Sequence, residues 1–352
     1  MKFTVFADLH YKKKMYAASV SDLETIFDRA AKHGAEAVIC LGDFCNDFRG
    51  SPEIVKTFLS NSYGLPVYNI YGNHELETMG NTMSYVTPLL TNREVNWGHG
   101  ITDGSVGYYY FDTEEIRFIA LDTNYSYNLE QSFWEHNREG SWGAPGSAGL
   151  PGNNINGNSL NPRQLEWLRE LLLASADEGK QCILLSHATL TKRFSACTYD
   201  VEEIERMIDA ANERRAGTVI MCINGHRHTD EMTVRNGVVY FDVNAVRSGA
   251  WKEKKDFHYG DGQGFEFVDY DADGNEKSRE HMDFNSLSQG KNTWFFDAPL
   301  SADVTIENGE ITIAGSECGW SFGVVPELCQ FGSYYAQIIK PCISDYKYVF
   351  KS

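Results

Sequence analysis

The chain is 352 residues long, enough for one large domain or a domain with a smaller appendage. Its 49 acidic residues outweigh 31 lysines and arginines, and the resulting net charge of -18 repels a nucleic-acid backbone, which excludes a general role on DNA or RNA. No run is long and apolar enough to span a membrane, so neither a polymer nor a bilayer is the expected partner.

Residues 4–7 form a short apolar run, read as a buried strand that ends at Asp8-Leu9-His10. Residues 21–33 read as a helix: Ser21 and Glu24 have capping-box spacing, Leu23, Ile26, Phe27 and Ala30 share one face, and Gly34 supplies the stop. Residues 37–41 are the next strand, running into Gly42-Asp43 and Asn46. A helix over 52–59 and a strand over 67–70 follow, the latter ending at Gly72-Asn73-His74-Glu75. Strand, helix, strand, helix, strand calls for an α/β fold with a parallel sheet flanked by helices.

The rhythm returns further on. Strands are expected at 108–112 and 116–121, then a helix over 162–173 and a strand over 182–185 that ends at Ser186-His187. Lys192 and Arg193 come soon after and could reach a substrate phosphate, or are simply solvated loop residues. A helix over 201–211 leads to a strand over 218–223, which ends at Gly225-His226-Arg227-His228. Residues 124–161 are rich in Gly, Asn, Ser and aromatics; Tyr125, Tyr127, Trp134 and Trp142 either wall the site or cover the sheet edge. From about Thr233 the pattern is alternating and β-rich, with a turn at Asp273-Gly274 and a hairpin turning at Asn308-Gly309. A division into a main domain, 1–288, and a β-rich C-terminal extension, 289–352, follows.

Every polar cluster thus sits past the carboxyl end of a strand, the edge where open α/β sheets bind ligands. Asp, Asn and His supply hard oxygen and borderline nitrogen donors, a set suited to Mn, Fe or Zn in a two-metal centre. Two such cations reverse the local sign of an acidic protein and admit a small phosphate ester. In an extended segment, residues 8 and 10 point the same way, as do 226 and 228, so each pair can converge on one metal.

The ordered set DxH, GDxxN, GNHE, H and GHxH resembles the calcineurin-like metallophosphoesterase superfamily over about residues 1–230. The resemblance implies a four-layer α/β/β/α sandwich and a dinuclear metal-dependent phosphoric ester hydrolase, with two ions of Mn, Fe or Zn as cofactors. It places Asp8, His10 and His228 on one metal, Asn73, His187 and His226 on the other, and Asp43 between them. His74 is then the catalytic group facing the substrate, with Asp47 or Glu75 as candidates to balance its charge. The GDxxN form is similar to bacterial cyclic-nucleotide and glycerophosphodiester phosphodiesterases. This puts Asn46 at the substrate, where Arg193 is also expected from its place after His187, and makes a small phosphodiester the first choice. A phosphomonoesterase and a non-catalytic scaffold on the same fold are the alternatives.

Other residues carry plainer readings. His33 ends a helix, where imidazole favours the dipole. His99, His136, His258 and His281 read as surface or loop residues, and Lys252 to Lys255 as a solvated loop. The eight cysteines include no CxxC pair, and Cys40, Cys182 and Cys222 lie in apolar runs as buried thiols. With the first strand beginning at once, a reducing cytoplasm is the expected location.

Overall fold

A computed structural model of the chain describes residues 1–12, 17–75, 81–125, 158–194, 197–251, 259–271, 275–287, 293–325 and 340–350. Strands β1 (Lys2–Phe6), β2 (Ala37–Cys40) and β3 (Val67–Asn69) are linked through helices α1 (Val20–His33) and α2 (Pro52–Leu59). After a one-turn helix α3 (Met83–Val86) come β4 (Asn96–Trp97), β5 (Tyr109–Asp112), β6 (Ile116–Ala120), α4 (Pro162–Glu178), β7 (Gln181–Ser186), α5 (Val201–Arg214) and β8 (Val219–Asn224). The remaining strands are β9 (Glu231–Arg235), β10 (Val238–Asp242), β11 (Ser248–Trp251), β12 (Gly264–Tyr270), β13 (Glu276–Asp283), β14 (Thr293–Phe295), β15 (Ala302–Glu307), β16 (Glu310–Ala314) and β17 (Tyr346–Val349).

Two sheets carry the architecture. One runs β17-β16-β15-β1-β2-β3, with β1, β2 and β3 parallel; the other runs β4-β5-β6-β7-β8-β10-β9, with β6, β7, β8 and β10 parallel. Leu23, Ile26 and Phe27 of α1 and Ile54 and Phe58 of α2 are buried in the core shared with the first sheet. Leu165, Leu168 and Leu172 of α4 and Ile204 and Ile208 of α5 pack in a second core with the other sheet. The sheets meet face to face. Phe3 of β1 stands edge-on to Phe118 of β6 with ring centroids 5.2 Å apart, and the Tyr109 hydroxyl donates to the Asn69 carbonyl at 2.8 Å. This is the expected four-layer sandwich, helices outside and sheets within.

The segment expected as a C-terminal extension feeds the first sheet directly, because β15 pairs antiparallel with β1 and β16 and β17 follow it. Asp303 of β15 accepts from Thr4 of β1 at 2.6 Å and from Arg29 of α1 at 2.8 Å, pinning strand and helix together. The hairpin between β15 and β16 turns at Asn308 and Gly309, both with positive φ (52° and 75°) as a type I′ turn requires. Two small sheets, β11-β14 and β12-β13, complete the β-rich region.

Several expected bounds differ from the structure, the helix expected over 201–211 running on to Arg214 among them. Helix α1 begins one residue early, at Val20, because Ser19 caps it and Asp22, not Glu24, reaches back to the Ser19 N–H at 2.9 Å. Ser21 and Glu24 are exposed instead. Helix α4 runs on to Glu178, where Gly179 closes it in the left-handed region at φ 76°. The strand expected over 67–70 stops at Asn69. Tyr127, Trp134, His136, Trp142, residues 252–255, His258, the Asp273-Gly274 turn and Cys329 lie outside the described residues. Tyr125 is described and buried, and its N–H donates to the Ser159 carbonyl at 3.1 Å. The described cysteines are free thiols, with Cys40, Cys45, Cys182 and Cys222 buried. Among the described residues no helix is long and apolar enough to cross a membrane.

Phe118 bridges both sheets, touching Phe3 and stacking on Phe111 at 4.8 Å. Phe118→Ala is expected to lower unfolding free energy by about 3–5 kcal/mol, read from urea denaturation, with little change in the urea dependence.

Candidate metal centre

The five polar clusters meet at one end of the sandwich, where the carboxyl ends of β1, β2 and β3 face those of β7 and β8. The loops after β1 and β2 run side by side: Asp8 N–H donates to the Gly42 carbonyl at 3.1 Å, His10 N–H to Asp43 at 2.7 Å and Tyr11 N–H to Phe44 at 3.0 Å. Asp8, His10, Asp43, His226 and His228 all have positive φ, between 51° and 70°. The DxH and HxH segments are therefore not extended, and alternation along a strand is not what brings each pair together. Left-handed kinks do, a conformation that Asp, Asn and His tolerate better than most side chains.

The glycines of two motifs have a packing cause. A Cβ on Gly42 would lie 2.7 Å from both the Gly72 nitrogen and His187 Nδ1, and Gly42 itself has φ 91°. A Cβ on Gly72 would lie 2.2 Å from Asp43 Oδ1. Glycine is required because the β2 and β3 loops close to van der Waals contact around the carboxylate.

The side chains form two groups that share Asp43. On one side Asp8 Oδ1 is 3.4 Å from His228 Nε2 and 3.8 Å from His10 Nε2, and the two imidazole nitrogens are 3.2 Å apart. On the other, His187 Nε2 lies 3.2 Å from Asp43 Oδ2, 3.2 Å from Asn73 Oδ1 and 3.1 Å from His226 Nδ1. Asp43 Oδ2 also lies 3.7 Å from His10 Nε2, which ties the groups together. His74 Nε2 stands 3.9 Å from the same carboxylate oxygen, at the rim. Asp8, His10 and His228, then His10, Asp43 and His74, and then Asp43, His187 and His226, are each clustered closely enough to hold one ion.

The donors are held from behind. His187 Nδ1–H donates to the Leu41 carbonyl at 2.8 Å and His228 Nδ1–H to the Ser248 carbonyl at 3.0 Å, so both present Nε2 to the centre. Asp8 Oδ2 accepts from His226 N–H at 2.9 Å, and Asp43 Oδ1 from His74 N–H at 2.8 Å. Asp8 Oδ1, fully buried, has no hydrogen-bond donor among the described residues. A lone carboxylate oxygen and crowded imidazole lone pairs are costly in a buried site, and a cation among them removes that cost. The residues present fit a metal pair.

Electrostatics follow from this crowding. Burial pushes His10 down to about 3, with Asp43 opposing it, and pushes His226 down to about 3, with His187 adding to the effect. His187 resists burial because Asp43 and Asp8 hold its proton, and its value rises to about 10. Asp43 is held well below the usual carboxylate range by His187 and His74 against its burial.

Two expected partners of His74 are elsewhere. Glu75 turns inward, wholly buried, and accepts from the Gly72, Asp43 and Phe44 N–H groups at 2.7, 3.0 and 2.8 Å. It clasps the β2 and β3 loops, and the GNHE spelling gave no sign of that direction. Asp47 accepts from Gly50 N–H in a local turn. His74 Nδ1 instead lies 2.9 Å from Asn46 Nδ2. Arg193 is exposed on the turn after His187, where its N–H donates to Thr191 Oγ1 at 3.3 Å. Arg227, between two of the histidines, points away: it is 1 % exposed, donates to Asp242 at 2.6 Å and Glu231 at 3.2 Å, and lies over the Phe194 ring.

The sequence matches the calcineurin-like phosphoesterase family over residues 1–230, and the chain belongs to that family. Among solved structures it is similar to a dimetal phosphatase from Danio rerio, at 13% identity and TM-score 0.59, covering 100% of this chain and 99% of that one. It is also similar to GAP50, the anchor in the inner membrane complex of Plasmodium (11%, TM-score 0.48, 100% and 89% covered), and to a 5'-nucleotidase from Candida albicans (15%, TM-score 0.41, 69% and 45% covered). At these identities the first likeness is one of fold. No curated protein matches the sequence.

Arg227→Met strands the buried Asp242 carboxylate and is expected to cost about 3–5 kcal/mol in denaturant unfolding. Since the metal-free protein keeps a proton on His187 up to about pH 10, a cation must displace it. Metal uptake is therefore expected to release protons and to tighten as pH rises from neutrality, checked by titration calorimetry in buffers of different ionisation enthalpy.

Proposed function

We propose that this centre hydrolyses a small phosphodiester with the help of two metal ions of Mn, Fe or Zn. Asp8, His10 and His228 would hold one ion, Asn73, His187 and His226 the other, and Asp43 both. The observation that carries the reading is the sharing of Asp43 between two complete donor groups, with His74 beside them and not needed to fill either. Bound metal ions would neutralise phosphoryl oxygens and acidify a water molecule.

The chain's own residues do the rest. The left-handed kinks at Asp8, His10, Asp43, His226 and His228, and the Leu41 carbonyl behind His187, hold these donors before any substrate arrives, so little reorganisation accompanies the reaction. Asp43, with its N–H and carbonyl fixed by Glu75 and His10, sets the separation of the donor groups. His74 reaches toward Asp43 Oδ2 from the rim, where a phosphoryl or leaving-group oxygen would sit. A complete donor set with this histidine present supports catalysis over a scaffold role.

The diester preference is supported by charge. The groups acting most strongly on the centre are its own carboxylates and imidazoles, and Arg227 is turned away to Asp242. A phosphodiester carries one negative charge, which two cations meet without a further arginine or lysine, whereas a monoester dianion gains more from one. With Mn²⁺, bis-p-nitrophenyl phosphate is expected to turn over with the higher kcat/KM; faster cleavage of p-nitrophenyl phosphate would reverse the choice. Asp43→Asn should lower metal content, measured by elemental analysis, and abolish both activities.

A further inference from the structure

Asn46 lies where the GDxxN motif would lead one to expect a substrate contact, yet it is 0% exposed. Its N–H donates to the Tyr11 carbonyl at 3.2 Å, fixing its backbone beside His10. The side-chain amide sits between two imidazoles whose rings meet edge to face at 4.7 Å. Oδ1 is 3.4 Å from His10 Nδ1, and Nδ2 is 2.9 Å from His74 Nδ1.

An amide has one accepting and one donating end, and neutral imidazole has one donor and one acceptor. His10 turns Nε2 to the centre, so a lone pair there requires the proton on Nδ1. The atom beside that Nδ1–H must accept, which sets Asn46 with its oxygen to His10. The nitrogen is then committed to His74, whose Nδ1 must accept in turn. His74 is left with its proton on Nε2, the atom 3.9 Å from Asp43 Oδ2.

We propose that Asn46 is a positioning residue that gives the two histidines opposite polarity: a lone pair on His10 toward the metals and an N–H on His74 toward the substrate. It rests on the hydrolytic reading above and sharpens it. His74 is a neutral hydrogen-bond donor throughout turnover and keeps its proton. Water supplies both the oxygen that bonds to phosphorus and the proton that ends on the departing oxygen as the ester P–O bond breaks.

Nitrogen-15 spectra of histidine-labelled protein test the polarity directly, in the metal-free and the zinc-loaded forms, with His74 assigned from a His74→Gln variant. An unprotonated Nδ1 and protonated Nε2 on His74 are expected; a protonated Nδ1 overturns the assignment. Asn46→Asp keeps an oxygen for His10 but replaces the donor to His74 with an acceptor. It should keep its metal by elemental analysis, move the His74 proton to Nδ1 and lower kcat by about 10²–10³ with KM little changed. An unaltered His74 spectrum in that variant overturns the proposal. His74→Ala should lose the same factor in kcat for aryl diesters with strongly and weakly acidic leaving phenols, and a loss that grows with leaving-group pKa would show His74 giving up its proton. If no phosphoester is cleaved while the wild-type spectrum is as expected, the hydrolytic reading fails and the Asn46 assignment stands.

Discussion

The structure depends on holding electron-rich groups closer together than they would rest alone. Two imidazole nitrogens 3.2 Å apart, two more at 3.1 Å and carboxylate oxygens within 4 Å of them bring lone pairs together that only a proton or a metal ion between them relieves. The backbone must bear that load, and it does so through five ligand-type residues in the left-handed region, a conformation that costs about 1–3 kcal/mol at each site. What stabilises those kinks is the hydrogen bonding behind them. Glu75 takes three N–H groups from the β2 and β3 loops, while the β1 loop hangs its N–H groups on the carbonyls of the β2 loop. Neither sheet could assemble the centre alone, since His187, His226 and His228 come from one and Asp8, His10, Asp43 and Asn73 from the other.

Much of this was legible in the sequence because its signal is local. A polar cluster after an apolar run marks a strand end, and strand ends share an edge in a parallel sheet. Asp8, His10, Asp43, Asn73, His187, His226 and His228 were found that way, and the structure brings them together. Side-chain direction was not legible once the backbone left the extended region. Residues 8 and 10 meet at one centre through left-handed kinks and not through strand alternation, and adjacency in sequence does not reveal that Glu75 turns inward or that Asn46 reaches His74. Strand neighbours far apart in sequence were equally hidden: nothing local in residues 302–307 announces that they pair with residues 2–5. Arg193, expected at the substrate, lies exposed on the turn after His187.

A net charge of -18 and an anionic substrate sit together without conflict if the positive charge is imported. The arrangement of Arg227 fits this. Flanked by two of the histidines, it is the cation nearest in sequence to the centre, and the fold buries it against Asp242, Glu231 and Phe194. A guanidinium turned inward would compete with a metal ion for the same carboxylates. Turned outward, it becomes an anchor for the loop. Asp242 also accepts from Asn224 at 2.7 Å and from Thr229 at 2.5 Å, so one carboxylate gathers three residues of the segment that carries His226 and His228.

That segment is held from a third side by the end of the chain, which lies beyond the 1–230 family match. Asp230, two residues past His228, accepts from Ser344 N–H at 2.9 Å, from the Ser344 hydroxyl at 2.5 Å and from the Tyr346 hydroxyl at 3.4 Å. Tyr346 opens β17, the outer strand of the first sheet, and Asn244 donates to the carbonyls of Lys340 and Cys342 nearby. The loop belongs to the second sheet by sequence, yet Asp8 grips it at His226, Asp242 at Arg227 and the C-terminal strand at Asp230. Three restraints from different directions leave such a loop little freedom to relax when its donors repel. The β-rich region therefore contributes to the geometry of the centre by bracing the loop that carries His226 and His228.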